Sequence, residues 1–158
     1  MNFLTEHGIS SYGELESKLT AVSARRDTAH AEIKRIESRS AELTLVMKHA
    51  ETYRQLKPSY DRYRKSNNKE KFLRGHESEL ILFEATAREL KRLGAVPLPT
   101  TESMKTELAN LSAEKERLLA EYKTARTEAQ EYETVKQNVD ALLAVPKEQE
   151  QQRRHELE

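Results

Sequence analysis

The stretch LESKLTAVSARRDTAHAEIKRIESRSAELTLVMKHA, Leu15 to Ala50, decides how this chain folds. Stepping alternately by four and three residues picks out Leu15, Leu19, Val22, Arg26, Ala29, Ile33, Ile36, Ser40, Leu43, Met47 and Ala50, and only Arg26 and Ser40 are polar. Sustained over about five heptads, this spacing makes one narrow apolar stripe on a helix and the seam of a coiled coil; no period-two alternation competes with it. Polar residues inside such a seam set register at a cost in stability, the role expected of Arg26 and Ser40.

Working outward, a second seam has the same form. It runs through Met104, Leu108, Leu111, Lys115, Leu118, Tyr122, Ala125, Ala129, Tyr132, Lys136, Val139 and Leu143. Pro97 and Pro99 enforce extended backbone ahead of it, Thr100 is placed to cap the helix, and Glu102 complements the dipole in the first turn. Pro146 is expected to stop it, leaving residues 146–158 as a polar, frayed tail in which Leu157 and Glu158 read as a vector-encoded remnant. At the other end, Ser11-Tyr12-Gly13-Glu14 reads as an S-x-x-E capping box that starts the first helix. Residues 1–8 read as the end of a truncated upstream helix closed by Gly8, so the chain is expected to be a piece of a larger protein.

The fold class expected is therefore all-α: a long antiparallel coiled-coil hairpin with a small helical cap at the far end. The first arm spans 11–56 and the second 100–145, each about 45 residues, or roughly 65–70 Å at the helical rise. Matched lengths favour one chain folding on itself, while a parallel homodimer would bury the same seams without them. Residues 57–94 would form the cap. Pro58 should kink or end the first arm, Asn67 and Asn68 should turn the chain, and Leu80, Phe83, Ala87 and Leu90 give a helical stripe. Leu73, Ile81 and Leu82 widen that stripe toward more than one neighbour, and Gly94 closes the helix.

Composition agrees. Of 158 residues, 36% are hydrophobic and 34% charged, with four glycines and four prolines, too little apolar content for a sheet-containing core but right for long amphipathic helices. Lys and Arg number 27 and so do Asp and Glu, and that balance argues against disorder, which usually needs a large net charge. Zero cysteines exclude a disulfide framework and fit a reducing compartment, so a cytoplasmic location is expected. No apolar run is long enough to span a bilayer, and no membrane insertion is expected.

Charge is unevenly placed. Between Lys48 and Arg74 nine basic residues stand against Glu51, Asp61 and Glu70, a net of +6 in a chain whose total is zero. The candidate nucleic-acid-binding residues are Arg54, Lys57, Tyr60, Arg62, Tyr63, Arg64, Lys65, Lys69, Lys71 and Arg74. Cations can exchange counterions for phosphates, and tyrosines can stack on unpaired bases. Tyr53, Lys57 and Tyr60 also follow one another at helical spacing, which favours tyrosines that pack the cap.

No catalytic, cofactor or metal site emerges. The five histidines are scattered, and HESE at His76 lacks the second histidine a helical zinc motif needs. Four unclustered glycines cannot cradle a nucleotide. Carboxylate pairs such as Glu131 and Glu133, or Glu114 and Glu116, fall on outer helix faces with no pocket to separate their acidities.

The strings NFLTEHGISSYGELE, YRQLKPSYDRYRKSNNKEKF, HESELILFEA, LKRLGAVPLPT and EYETVKQNVDALL, in order from Asn2 to Leu143, together resemble the C-terminal helical region of relaxases. These are the mobilisation nucleases of conjugative and mobilisable elements of Gram-positive gut bacteria. The resemblance implies a parent enzyme that nicks one DNA strand with a tyrosine beside a histidine-bound metal and pilots the strand into a recipient cell. Neither the paired-histidine motif nor a tyrosine in a matching context occurs here, so what the resemblance implies for this chain is an accessory segment downstream of the nuclease. The function expected is a non-catalytic helical interaction module supporting conjugative DNA transfer. Its candidate partners are DNA and a coupling protein or other transfer-machinery protein. A DNA-binding module using the bend at 48–74 and a coiled-coil homodimerisation domain are the alternatives.

Overall fold

The computed structural model describes residues 3–157, with side chains through residue 144. Four helices follow in order: α1 (Phe3–Glu6), α2 (Tyr12–Lys65), α3 (Lys69–Arg92) and α4 (Thr101–Leu157). Among the described residues every regular element is helical, and none is long and apolar enough to cross a membrane.

Both proline expectations need correction. α2 runs through Pro58 to Lys65, so the boundary expected near Leu56 lies nine residues later. Pro58 costs the helix about 3 kcal/mol through its missing amide and the clash of its ring. That cost is offset on both sides of it, because Tyr53 and Tyr60 stack on the same ring, Phe83 of α3, at 4.8 and 4.4 Å. Two aromatic contacts of about 0.5–1.5 kcal/mol each, added to the burial of Phe83, are of the size required. α4 likewise passes Pro146 and reaches Leu157. The carbonyl that Pro146 leaves without a partner belongs to Leu142, which is 72% exposed, so water is at hand to satisfy it. The upstream-helix reading rests partly on Met1 and Asn2 and the remnant reading partly on Glu158; these three lie outside the described residues.

The helix ends follow local chemistry. Gly8 and Gly94 both have positive φ, +64° and +70°, and at Gly94 the amides of Gly94 and Ala95 bond back to Lys91 and Leu90 as an αL closure requires. Asn68 caps α3 by accepting from the Lys71 amide at 3.1 Å, and Thr100 caps α4 by accepting from the Ser103 amide at 3.1 Å. The capping box at Ser11 is half as expected: the Glu14 amide bonds to Ser11 Oγ, but the Glu14 carboxylate takes the amide and hydroxyl of Ser10 instead of the Ser11 amide. These bonds hold the Glu14 carboxyl below its usual acidity range. α3 is bent at His76, whose φ and ψ are −134° and 18°; Gly75 precedes it, and Phe72 stacks on its ring at 4.3 Å.

The chain divides into two compact units, one made of the residues up to Ile33 with those from Glu116 onward, the other Lys34–Lys115. In the first, Leu15, Val22, Ala129 and Tyr132 form the buried cluster, and Phe3, Leu4, Ile9, Leu19, Val135 and Val139 pack against it. Phe3 meets the Tyr132 ring edge-on at 5.1 Å, and burial pushes the Tyr132 phenol up from its ordinary value. Tyr12 donates to Asp140 at 2.6 Å and Arg25 pairs with Glu128 at 3.7 Å, so α2 and α4 run in opposite directions here.

In the second unit Ile36, Leu43, Val46 and Ala50 of α2, Leu80, Phe83 and Leu90 of α3, and Met104 and Leu111 of α4 are buried. Arg39 holds both oxygens of Glu107, at 2.8 and 3.2 Å, and Arg35 pairs with Glu114 at 3.7 Å. The two helices again run in opposite directions. Most of the periodic apolar positions are buried or half-buried, with departures in α2, α3 and α4. Val46 is buried although the four-three spacing passed over it, in a unit where a third helix adds a neighbour. Leu143 is 59% exposed. Ile81 and Leu82, expected to widen the α3 stripe inward, are 59% and 51% exposed, and Leu73 is 38% exposed. Ile81 lies on the side of α3 away from Leu80, Phe83, Thr86 and Leu90, Leu82 flanks that side, and Leu73 stands one heptad before Leu80, beyond the bend at His76.

Candidate nucleic-acid interface

The candidate residues all lie in the Lys34–Lys115 unit, on the last turns of α2 and the first turns of α3, on either side of the short turn Ser66–Asn68. The fold sorts them into three kinds.

The aromatic residues are half-buried and make ring contacts within the unit. Tyr60 stacks on Phe83, Tyr63 lies 6.4 Å from Tyr60 and 6.1 Å from Phe72, and Phe72 is taken up by His76. Tyr60 gives one face to Phe83 and Tyr63 makes only tilted contacts, both half-buried, a placement that suits tyrosines packing against α3.

A second set of cations is tied within the chain. Arg54 donates to Thr101 Oγ1 at 2.8 Å and to the Pro99 carbonyl at 2.9 Å, fastening α2 to the start of α4. Lys57 pairs with Asp61 at 3.0 Å, and this bond raises its pKa, with the positive charge of Arg64 opposing. Arg74 pairs with Glu70 at 3.2 Å. Arg62 makes long contacts, 3.4 Å, to the Pro58 carbonyl and the Ser59 hydroxyl of its own helix.

The third set is what remains. Arg64, Lys65, Lys69 and Lys71 are exposed, and their side chains make no hydrogen bond or ion pair with the described residues. Between Arg62 and Lys71 the one carboxylate is Glu70, already engaged by Arg74. Arg64 and Lys65 end α2, where the negative end of the helix dipole favours them. Lys69 and Lys71 begin α3, where the dipole disfavours them and only Glu70 compensates.

Sequence reasoning missed one neighbouring feature. An open groove of ≈ 550 Å³ is lined by Met47, Lys48, Glu51, Arg54, Gln55, Thr101 and Lys105. It brings Lys105 beside Lys48 and Arg54, and no local pattern signals that approach because it depends on how α2 and α4 pair. No protein-family model, curated protein or solved structure matches this chain, so the reading of the interface rests on its sequence and geometry.

Proposed function

We propose that the chain is a non-catalytic helical accessory module of a relaxase-like DNA-mobilisation protein that engages the transfer machinery through α3. In this reading α2 and α4 form an antiparallel coiled-coil hairpin and α3 caps it. The ordered run of relaxase-like strings supports the context. The observation that carries the role is the exposure of large apolar residues on α3: Ile81 and Leu82, adjacent in the chain, and Leu73, nearer the basic turn, are open to solvent while Leu80, Phe83 and Leu90 are buried. Exposed apolar side chains grouped on one element are what a protein partner covers. The test is retention of the element's purified coupling protein by this chain and by an L73E/I81E/L82E variant, with circular dichroism to check the fold. Loss of retention in the folded variant is expected, and equal retention would contradict the role. Light scattering tests the hairpin: a monomer is expected at low micromolar concentration, and a persistent dimer would favour homodimerisation through the seams.

A second reading, direct DNA contact through the bend, is favoured by one specific observation. Arg64, Lys65, Lys69 and Lys71 have no ion-pair partner among the described residues.

A further inference from the structure

We infer that the α2–α3 turn is a four-cation clamp for the phosphate backbone of duplex DNA, indifferent to base sequence; this deepens the second reading above and rests on it. Three observations converge. The first is the absence of internal competition: Arg64, Lys65, Lys69 and Lys71 are exposed, unpaired with any described residue, and close together in the chain across the turn Ser66–Asn68. The second is their local cost. Lys69 and Lys71 occupy the first turn of α3, and like charges crowd the turn from the α2 side, an arrangement that departs from local preference in the way functional sites do.

The third observation chooses the form of nucleic acid. Proteins that hold single strands without sequence preference combine a basic groove with aromatic faces on which bases stack. Here Tyr53 and Tyr60 stack on Phe83 and Phe72 stacks on His76, while Tyr63 is half-buried with tilted neighbours on either side, so no exposed aromatic platform adjoins the cations. Only the electrostatic part of that recognition is left, and it is stronger against a duplex, which presents a charge per about 1.7 Å of axis compared with about 3.4 Å along one strand. Arginine and lysine can read guanine in a major groove, but cations that meet phosphates position the protein on the duplex and carry no base information.

The strength follows from counterion release. Four phosphate contacts give a slope of about −3.6 in log K against log salt, so affinity falls on the order of 10²-fold between 50 and 200 mM salt. The experiment is fluorescence anisotropy of the full chain with a labelled duplex of arbitrary sequence, a single strand of thymidines of equal length and a polyglutamate chain, across that salt range. The clamp requires duplex binding tighter than single-strand binding, a slope near the stated value, and each neutralisation among R64Q, K65Q, K69Q and K71Q reducing the slope by about one. The charge-neutral pair variants K57Q/D61N and E70Q/R74Q should leave duplex affinity within about twofold, because those charges already cancel. Circular dichroism confirms folding of each variant. Single-strand binding tighter than duplex binding, or equal retention of polyglutamate, would overturn the clamp and leave the bend as a less selective contact surface. Failure to retain any DNA at 50 mM salt would overturn the second reading along with it.

Discussion

Arg54 and Lys65 belong to one helix and carry the same charge, yet the fold uses them in opposite ways. The Arg54 guanidinium is consumed by the chain itself, bonded to Thr101 and to the Pro99 carbonyl where α4 begins. Lys65, with Arg64, Lys69 and Lys71, is exposed and unpaired among the described residues. The flank of the bend is thus structural and its turn is electrostatic. A net charge summed over residues 48–74 hides this division, since the cations that bond internally have little left to offer a partner.

Breaking the flank should cost stability and breaking the turn should not. The largest effect is expected for Phe83→Ala, which removes the ring on which Tyr53 and Tyr60 both lie and with it the packing that carries α2 past Pro58. A loss of about 3–5 kcal/mol in chemical unfolding is expected, as for buried aromatic truncations generally. A loss below about 1 kcal/mol would mean that Pro58 is tolerated for another reason. Arg54→Ala should cost about 1–2 kcal/mol, below the full value of two charged hydrogen bonds because the residue is exposed. Lys65→Ala should instead fall within about 0.5 kcal/mol of the parent. Equal losses for the two would erase the distinction between flank and turn. Asn68→Ala, which removes the cap of α3 while leaving the turn cations in place, should cost about 1 kcal/mol by thermal unfolding.

The smallest effect sharpens the contrast from the other unit, where a polar contact of α2 is used purely for structure. The hydrogen bond from Tyr12 to Asp140 pushes the phenol up to about 12. Because the folded pKa lies above the unfolded value of about 10, the stabilisation is complete below pH 10 and is lost as pH rises from 10 through 12. Tyr12→Phe should lower stability below pH 10, where the bond is intact, and remove this part of the loss between pH 10 and 12. An alkaline profile identical to the parent's would show that the bond contributes nothing in solution.

Much of the helix pairing was legible because it depends on short-range periodicity. Leu15, Val22, Ile36, Leu111 and Leu118 recur at the spacing a buried stripe needs, and each is buried. Gly94, Asn68 and Thr100 announced helix ends through conformations and caps that are local properties. Pro58 and Pro146 misled for the complementary reason: a proline states a local cost, and whether a helix survives it depends on packing such as that of Phe83, contributed from α3. Ile81 and Leu82 misled because apolar character does not say which side of a helix will find a neighbour. At the candidate interface, Lys57 with Asp61 and Glu70 with Arg74 were readable as pairs four residues apart on a helix. The capture of Arg54 by Pro99 and Thr101 was not, since it links positions distant in sequence. The tyrosine stacks were half-readable, from the helical spacing of Tyr53 and Tyr60 but without their common partner.

Lysine-reactivity footprinting tests the division of the bend most directly. The chain would be acetylated with and without saturating duplex DNA at 50 mM salt, and the extent read at each lysine by mass spectrometry. Protection by DNA is expected at Lys65, Lys69 and Lys71, with Lys57 unchanged because its ammonium group is held by Asp61 in both states. Protection of Lys57 to the same extent as the turn lysines, or no protection at the turn under conditions where DNA is bound, would contradict the account.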